Sequence, residues 1–325
     1  MPPTAGTSLK PVKRMPVQKS LPRIGSPDFV RDLDLAQDEL LALLDLTQQV
    51  KSNPARFAKA LSGRYLSLLF EKPSLRTRVT FELAIKQLGG DAVLSTGPIG
   101  EREPLKDVAR NFDRWTNAIV ARTFSHQTIE DLAHWSSVPV INALSDRFHP
   151  CQALADIFTL QEKLDDLRGR KLAFVGDSNN VANSLMLTAL RTGMNFSIAT
   201  PRGYEPDAEI VAQAEALAAI SGAKLVITNN AVEAVQDAHA VYTDVWASMG
   251  QENEKRKRLF DFANYQVNQA LLAEARADAV FLHCLPAKRG EEVTDEVIES
   301  AQSVVFDQAE NRLHVQKALL LMLIG

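Results

Sequence analysis

Cysteine is scarce in this chain of 325 residues, which carries only Cys151 and Cys284. Two thiols build no disulfide framework, so a stapled extracellular scaffold is excluded and a reducing cytoplasm is the expected setting. No apolar run approaches the roughly 18 residues that a membrane span requires. The apolar tail Ala318-Leu319-Leu320-Leu321-Met322-Leu323-Ile324 is far too short and reads as a packing helix. Charge of one sign is also lacking. The net value is -4, so no global field draws nucleic acid or an anionic membrane. No unit of about 20–50 residues repeats, which excludes a solenoid. Acids are missing altogether from residues 1–27, where Lys10, Lys13, Arg14, Lys19 and Arg23 stand among several prolines. That segment is expected to be a disordered basic extension; an organelle leader would carry more arginine and a visible amphipathic helix.

What is present points to a globular protein of about two domains, with 46% hydrophobic and 23% charged residues. From Asp28 the pattern alternates. Helical spacing covers 36–53, 74–88, 104–115, 128–135 and 151–167, with strand-like runs at 65–70, 92–95, 118–122 and 138–143. The second half repeats the scheme, with apolar strands expected at 172–176, 196–200, 225–228, 240–244, 279–285 and 304–306. Helices are expected at 208–220 and 294–301. Strand–helix alternation of this kind predicts α/β architecture: two doubly wound parallel-sheet domains joined near the 151–167 helix. Ligands of such sheets bind beyond the carboxyl ends of the strands, which places the site in the cleft between the domains.

The polar clusters stand at those ends. After the first strand comes Ser74-Leu75-Arg76-Thr77-Arg78, opening a helix with Ser74 as the expected N-cap. Free N–H groups of a helix start attract anions, and hydroxyls and guanidiniums add donors that match phosphate. Taken alone, the stretch is also compatible with a capped surface helix. Arg122-Thr123-Phe124 follows the next run, and His149-Pro150-Cys151-Gln152 the one after, with Pro150 suited to a first helical position. In the second half the clusters are Gly176-Asp177-Ser178-Asn179-Asn180, the stretch from Asp244 to Gly250, and His283-Cys284-Leu285-Pro286.

In this order and spacing, with Glu310-Asn311-Arg312 near the end, these motifs resemble the aspartate/ornithine carbamoyltransferase family from about Asp28 to the C-terminus. The resemblance implies a transferase that moves the carbamoyl group of carbamoyl phosphate to an amine, without metal or organic cofactor. It implies a carbamoyl phosphate-binding domain over 28–155, an ornithine-binding domain over 156–306 and a C-terminal helix over 307–325 packing back on the first. By resemblance, Ser74, Leu75, Arg76 and Thr77 hold the phosphate, Leu75 through its backbone N–H only, because the family usually has Thr there. Arg122 and His149 would face the carbonyl oxygen. Gln152, within the His149, Pro150, Cys151 and Gln152 stretch, and the carbonyls of Cys284 and Leu285 would orient the carbamoyl NH₂, and Arg312 would complete the cationic lining. Asn180 and Asp244 match the α-amino contacts of the acceptor, and Ser248 and Met249 its carboxylate contacts. Cys284 and Asp244 are candidates for handling the proton of the attacking amine. The acceptor so implied is L-ornithine, the product L-citrulline, within arginine metabolism, and the assembly a homotrimer. Aligned by eye, Pro98 stands where many members have a glutamine that reaches a neighbouring subunit.

Rival readings remain. A zinc site could use His149, Cys151, His283 and Cys284, but adjacent residues of a strand point to opposite faces. The Cys151 side chain reads as packing. A nucleotide-dependent dehydrogenase would need G-x-G-x-x-G after the fifth strand, and Gly176-Asp177-Ser178-Asn179-Asn180 lacks it. Another amine acceptor (an N-acylornithine, putrescine) or a non-catalytic binder of the same fold are the remaining alternatives.

Overall fold

The computed structural model describes residues 21–247 and 252–325. The first half runs α1 (Gln37–Ser52), β1 (Tyr65–Phe70), α2 (Arg76–Gln87), β2 (Asp91–Thr96), α3 (Leu105–Trp115), β3 (Ala118–Arg122), α4 (His126–Trp135), β4 (Val140–Leu144) and α5 (Pro150–Leu164). The second runs β5 (Lys171–Val175), α6 (Asn180–Arg191), β6 (Asn195–Ala199), α7 (Ala208–Ser221), β7 (Leu225–Thr228), α8 (Ala231–Val235), β8 (Ala240–Tyr242), α9 (Lys255–Asp261), α10 (Gln269–Ala273), β9 (Val280–Leu282), α11 (Asp295–Ile298) and α12 (Val305–Ile324). All described pairings of named strands are parallel, in two sheets of order β2-β1-β3-β4 and β7-β6-β5-β8-β9. The inner strands are buried almost throughout because helices cover both faces, which explains their unbroken apolar runs.

Each strand order contains one reversal. In the first sheet the chain leaves β1 toward β2 on one side and returns to β3 on the other. In the second it leaves β5 toward β6 and returns to β8. Helices at such a reversal run to opposite faces and leave a crevice at the strand ends. The β1 and β3 ends carry Ser74–Thr77 and Arg122; the β5 and β8 ends carry Asp177–Asn180 and Asp244. Gly176 allows the turn out of β5, adopting φ +143, a backbone state that side chains with a Cβ disfavour.

Two expectations need correction. Residues 304–306 are not a sixth strand. Phe281 N–H donates to Gln302 and Val304 N–H to Phe281, and the chain then enters α12, a single helix that takes up the apolar tail. A short apolar run carries too few residues to separate strand from helix by period, and here the twenty-residue continuation decides. The expected extension over 1–27 is also partly tied down. Residues 1–20 lie outside the described residues, but Leu21 and Ile24 pack on the main core and Arg23 donates to the carbonyl of Gly325.

The main apolar cluster is continuous between the two sheets. It includes Leu66, Val120 and Phe81 from one side, Leu172, Phe174 and Leu185 from the other, and Phe158, Leu319 and Leu320 between. Helix α12 packs on α1, α2 and α5, and Lys51 of α1 bonds both Glu162 of α5 (2.7 Å) and Asn311 of α12 (2.8 Å). A buried carboxyl near the chain start provides a second tie. Asp32 accepts from Ser184 (2.6 Å) and Thr188 (3.1 Å) of α6, and Ser184 Oγ accepts from the N–H of His149 (2.9 Å). Arg191 also donates to the Asp32 carbonyl (2.7 Å).

Burial lifts the Asp32 carboxyl from its usual 3.8 to about 6, against the opposing effect of its hydroxyl donors. The folded chain therefore holds a proton that the unfolded chain releases, so this group's stability contribution declines as pH rises from about 4 to about 6. Relative to Asp32→Asn, the wild type should lose about 3 kcal/mol over that interval and nothing further above it, measured by urea unfolding at fixed protein concentration. A stability difference that stays constant from pH 4 to 7 would refute the assignment.

Candidate active site

The cleft at the two reversals has a volume of about 1010 Å³. One end is lined by Ser74, Leu75, Arg76, Thr77, Arg122, His149, Gln152 and Arg312, the other by Asn179, Asn180 and Asp244, with Cys284 and Leu285 also in the lining. The separated motifs therefore meet. Ser248 and Met249 lie outside the described residues. Pro150 and Cys151 are buried in the first turn of α5 and do not line the cleft. Cys151 donates to the Asn142 carbonyl at 3.4 Å, and burial pushes its thiol up to about 12, so its role is packing.

The phosphate-type end starts at α2. That helix begins two residues later than expected: Leu75, not Ser74, is the N-cap position, and no side chain caps the turn. Its first N–H groups thus lack a side-chain acceptor, and the turn lines the cleft beside the Arg76 side chain. Leu75 is 70% exposed, consistent with a residue whose side chain is not part of a grip. Thr77 is buried and accepts from the Arg312 guanidinium, which joins α12 to α2 across the end of the cleft.

Like charges accumulate here. Burial, then Arg312 and Arg76, lower Arg122 to about 10, so it remains cationic at neutral pH. His149 occupies the N-cap position of α5. Burial, with Arg312 and Arg122 beside it, holds its imidazole well below the usual range, so the ring is neutral and keeps one N–H to donate. Four buried polar atoms on these cleft-lining residues have no partner among the described residues: Arg122 Nε, His149 Nδ1, Gln152 Oε1 and Arg312 Nε. Buried polar atoms are seldom left so, and their grouping marks a polar ligand site.

At the other end Asp244 accepts from Asn179 Nδ2 (2.8 Å) and from Cys284 Sγ (3.1 Å). Burial and the Asp244 charge hold the Cys284 thiol well above its usual range, so it is a protonated donor and not a resting base. Asn179 is the residue that the motif reading missed. Its oxygen caps α6 through Val181 and Ala182 N–H while its amide reaches Asp244, and the available signal was an Asn directly before a helical run. Asn180, named from the motif, lines the cleft but donates to the Ser145 carbonyl. Arg258 was also missed. It bonds Asp177 (2.8 Å) and the Trp246 carbonyl (2.9 Å), bracing the start of the stretch that follows Asp244.

Strand β9 ends at Leu282, so His283 and Cys284 are not held to opposite faces, and ligand atoms of Asp244, His283 and Cys284 lie within 4.8 Å of one another. Both ring nitrogens of His283 are engaged, however. Nδ1 accepts from Leu285 N–H (2.9 Å) and Nε2 faces the buried Glu292 (3.2 Å), so a cation there would have to displace one of these bonds.

Comparison with known proteins agrees with this arrangement. Residues 27–162 match the family model for the carbamoyl-P binding domain of aspartate/ornithine carbamoyltransferase, and residues 168–323 the model for its Asp/Orn binding domain. The chain is 50% identical over 303 residues to the ornithine carbamoyltransferase of Anoxybacillus flavithermus, covering 91% of this chain and 96% of that one. It is 52% identical over 289 residues to that of Thermus thermophilus, covering 88% and 93%. The solved ornithine carbamoyltransferase from Pyrococcus furiosus superposes with a TM-score of 0.90 at 45% identity, covering 93% of this chain and 98% of that one. A mutant N-acetyl-L-ornithine transcarbamylase complexed with PALAO superposes at 0.84 and 32% identity, covering 91% and 99%. The chain belongs to the aspartate/ornithine carbamoyltransferase family.

Proposed function

We propose that this protein is a carbamoyltransferase that converts carbamoyl phosphate and L-ornithine into L-citrulline and phosphate. The observation that supports this most is the group of four unpartnered buried polar atoms opposite an uncapped helix start. Ser74, Arg76, Thr77 and the first N–H groups of α2 take the phosphate, and Leu75 contributes backbone alone. Arg122 and the neutral His149 donate to the carbonyl oxygen. As the amine attacks, that oxygen gains negative charge, and donors already in place stabilise it without reorganisation. Gln152 and the carbonyls of Cys284 and Leu285 receive the carbamoyl NH₂, and Arg312 balances the charge.

The acceptor's α-ammonium goes to Asp244, with Asn180 near it, and its carboxylate to Ser248 and Met249. A terminal amine of pKa about 10.4 must reach the site neutral. Because Cys284 is already a thiol giving its hydrogen to Asp244, the proton lost after attack goes to an oxygen of the departing phosphate, which becomes strongly basic as its bond to the carbamoyl carbon breaks.

The neighbouring cations favour ornithine over aspartate. Arg258 is paired with Asp177 (2.8 Å) and Glu254 (2.9 Å), and Lys255 (3.1 Å) and Lys288 (3.9 Å) share Glu291, so these three cations already face three carboxylates. A second reading, an N-acylornithine acceptor, has the N-acetyl-L-ornithine transcarbamylase likeness in its favour. The Asp244 anion argues against it, because acylation removes the charge it would pair with. The expected assembly is a homotrimer in the cytoplasm. Two unpaired thiols and the open β2 edge, with Val93 and Leu94 exposed, support that expectation.

Arg76→Ala should leave the fold intact and reduce kcat/KM for carbamoyl phosphate by at least about a hundredfold, since one bidentate charge-assisted contact contributes about 1.5–3 kcal/mol and its placement adds to that. Unchanged carbamoyl phosphate affinity by calorimetry would remove the phosphate assignment. In an acceptor panel, L-ornithine should exceed aspartate, N-acetylornithine, N-succinylornithine and putrescine by about a hundredfold or more in kcat/KM, because each unpaired buried polar group costs about 1–3 kcal/mol. Comparable turnover of any of the four would overturn the ornithine assignment.

A further inference from the structure

A carboxamide presents oxygen and nitrogen of nearly equal size, so only its partners decide which one faces a substrate. Gln152 is fully buried on α5 and lines the cleft. Its orientation is traceable to a group with no choice. The backbone N–H of His283 can only donate, and it donates to Gln308 Oε1 at 3.0 Å. The Gln308 NH₂ is thereby turned the other way, where it donates to Asp156 Oδ1 (2.6 Å) and to the Tyr242 hydroxyl (3.1 Å). Asp156 Oδ1 must then accept, and it also accepts from Gln152 Nε2 at 2.7 Å. What remains is Gln152 Oε1, buried and without a partner among the described residues. Every side chain in this chain of bonds is fully buried, so water does not relax it.

We propose that Asp156 and Gln308 are positioning residues that set the polarity of the Gln152 carboxamide, so that its oxygen accepts from the carbamoyl NH₂. The inference rests on the carbamoyl-transfer reading and deepens it. A carbamoyl group has donors at one end and an acceptor at the other. With Gln152 reversed, NH₂ would face NH₂; as it stands, the carbonyl oxygen is directed toward Arg122 and His149. Burial lifts the Asp156 carboxyl to about 7. Oδ1 can accept in either protonation state, because a proton would sit on Oδ2, which also lacks a partner. The relay thus keeps its direction across neutral pH.

The test uses the full-length enzyme in a citrulline-forming assay. Asp156→Ala should lower kcat/KM for carbamoyl phosphate on the order of thirtyfold, the equivalent of one misdirected buried hydrogen bond. The inhibition constant of inorganic phosphate, which has no NH₂, should stay within about twofold. Asp156→Asn, whose oxygen can stand at Oδ1 and whose NH₂ can take the unpartnered position, should recover to within about fivefold of wild type. Equal loss of phosphate binding, an Asn variant as poor as the Ala variant, or an unimpaired Ala variant would each overturn the proposal.

If Asp156→Ala does not fold, Gln152→Glu carries the same test. It sets two acceptors against each other unless they share a proton, within reach of Arg312 from α12, Tyr242 from β8 and Cys284 after β9. Its kcat/KM relative to wild type should rise at least about fivefold as pH falls from about 8 to 6. A ratio independent of pH would refute the relay. Absence of citrulline formation by the wild type would instead refute the carbamoyl-transfer reading.

Discussion

Like-charge crowding at a buried end of the cleft is the constraint on which the rest of this structure depends. Arg122 feels Arg312 and Arg76, and His149 feels Arg312 and Arg122. Burying cations together is unfavourable unless something anionic compensates. The described protein groups do this only in part: Asp156 lies within reach of Arg312 and Thr77 offers it a hydroxyl, while the Nε atoms of Arg122 and Arg312 stay unpartnered. The arrangement is therefore poised for a small dianion, and burial, helped by the same field, keeps His149 neutral with one N–H to donate.

Holding those charges in place requires the scaffold to be stiff where they are attached. Arg122 ends a buried strand, Arg76 opens α2, and Arg312 rides on α12, which is packed against α1, α2 and α5. The Lys51–Glu162–Asn311 tie anchors α12 to α1 and α5, and Asp32 joins the chain start to α6 and, through Ser184, to the backbone of His149. The Asp32 tie thus reaches the cleft at His149, and the Lys51 tie fixes the helix that carries Arg312. Asp244, Asn179 and Cys284 form the complementary end, where the Asp244 carboxylate suits a cationic acceptor.

Much of this was legible in order of residues alone. Strands β1, β3 and β7 have the bounds their apolar runs suggested, for β1 and β3 because burial on both sheet faces leaves unbroken apolar runs, and the helices begin and end within a few residues of their signals. The 304–306 run misled because three residues carry no period. Ser74 misled because Ser is a good cap in general, whereas here the turn opens into the cleft and the helix starts after Leu75. His283 and Cys284 escape the opposite-face rule because β9 ends at Leu282, two residues short of Cys284.

By itself, then, the sequence determined the α/β alternation, the two-sheet plan and the residue types at the strand ends, since these follow from local period and from short motifs. Only the tertiary structure decided which of those polar groups share an environment. That Asn179 and not Asn180 reaches Asp244, that Cys284 is a donor, and that Gln308 and Asp156 orient Gln152 over sequence separations of 152 and 4 residues are facts of packing. Hydrogen-bond polarity and proton affinity depend on neighbours brought together by the fold and on the water it removes, and neither is encoded in any one stretch of chain.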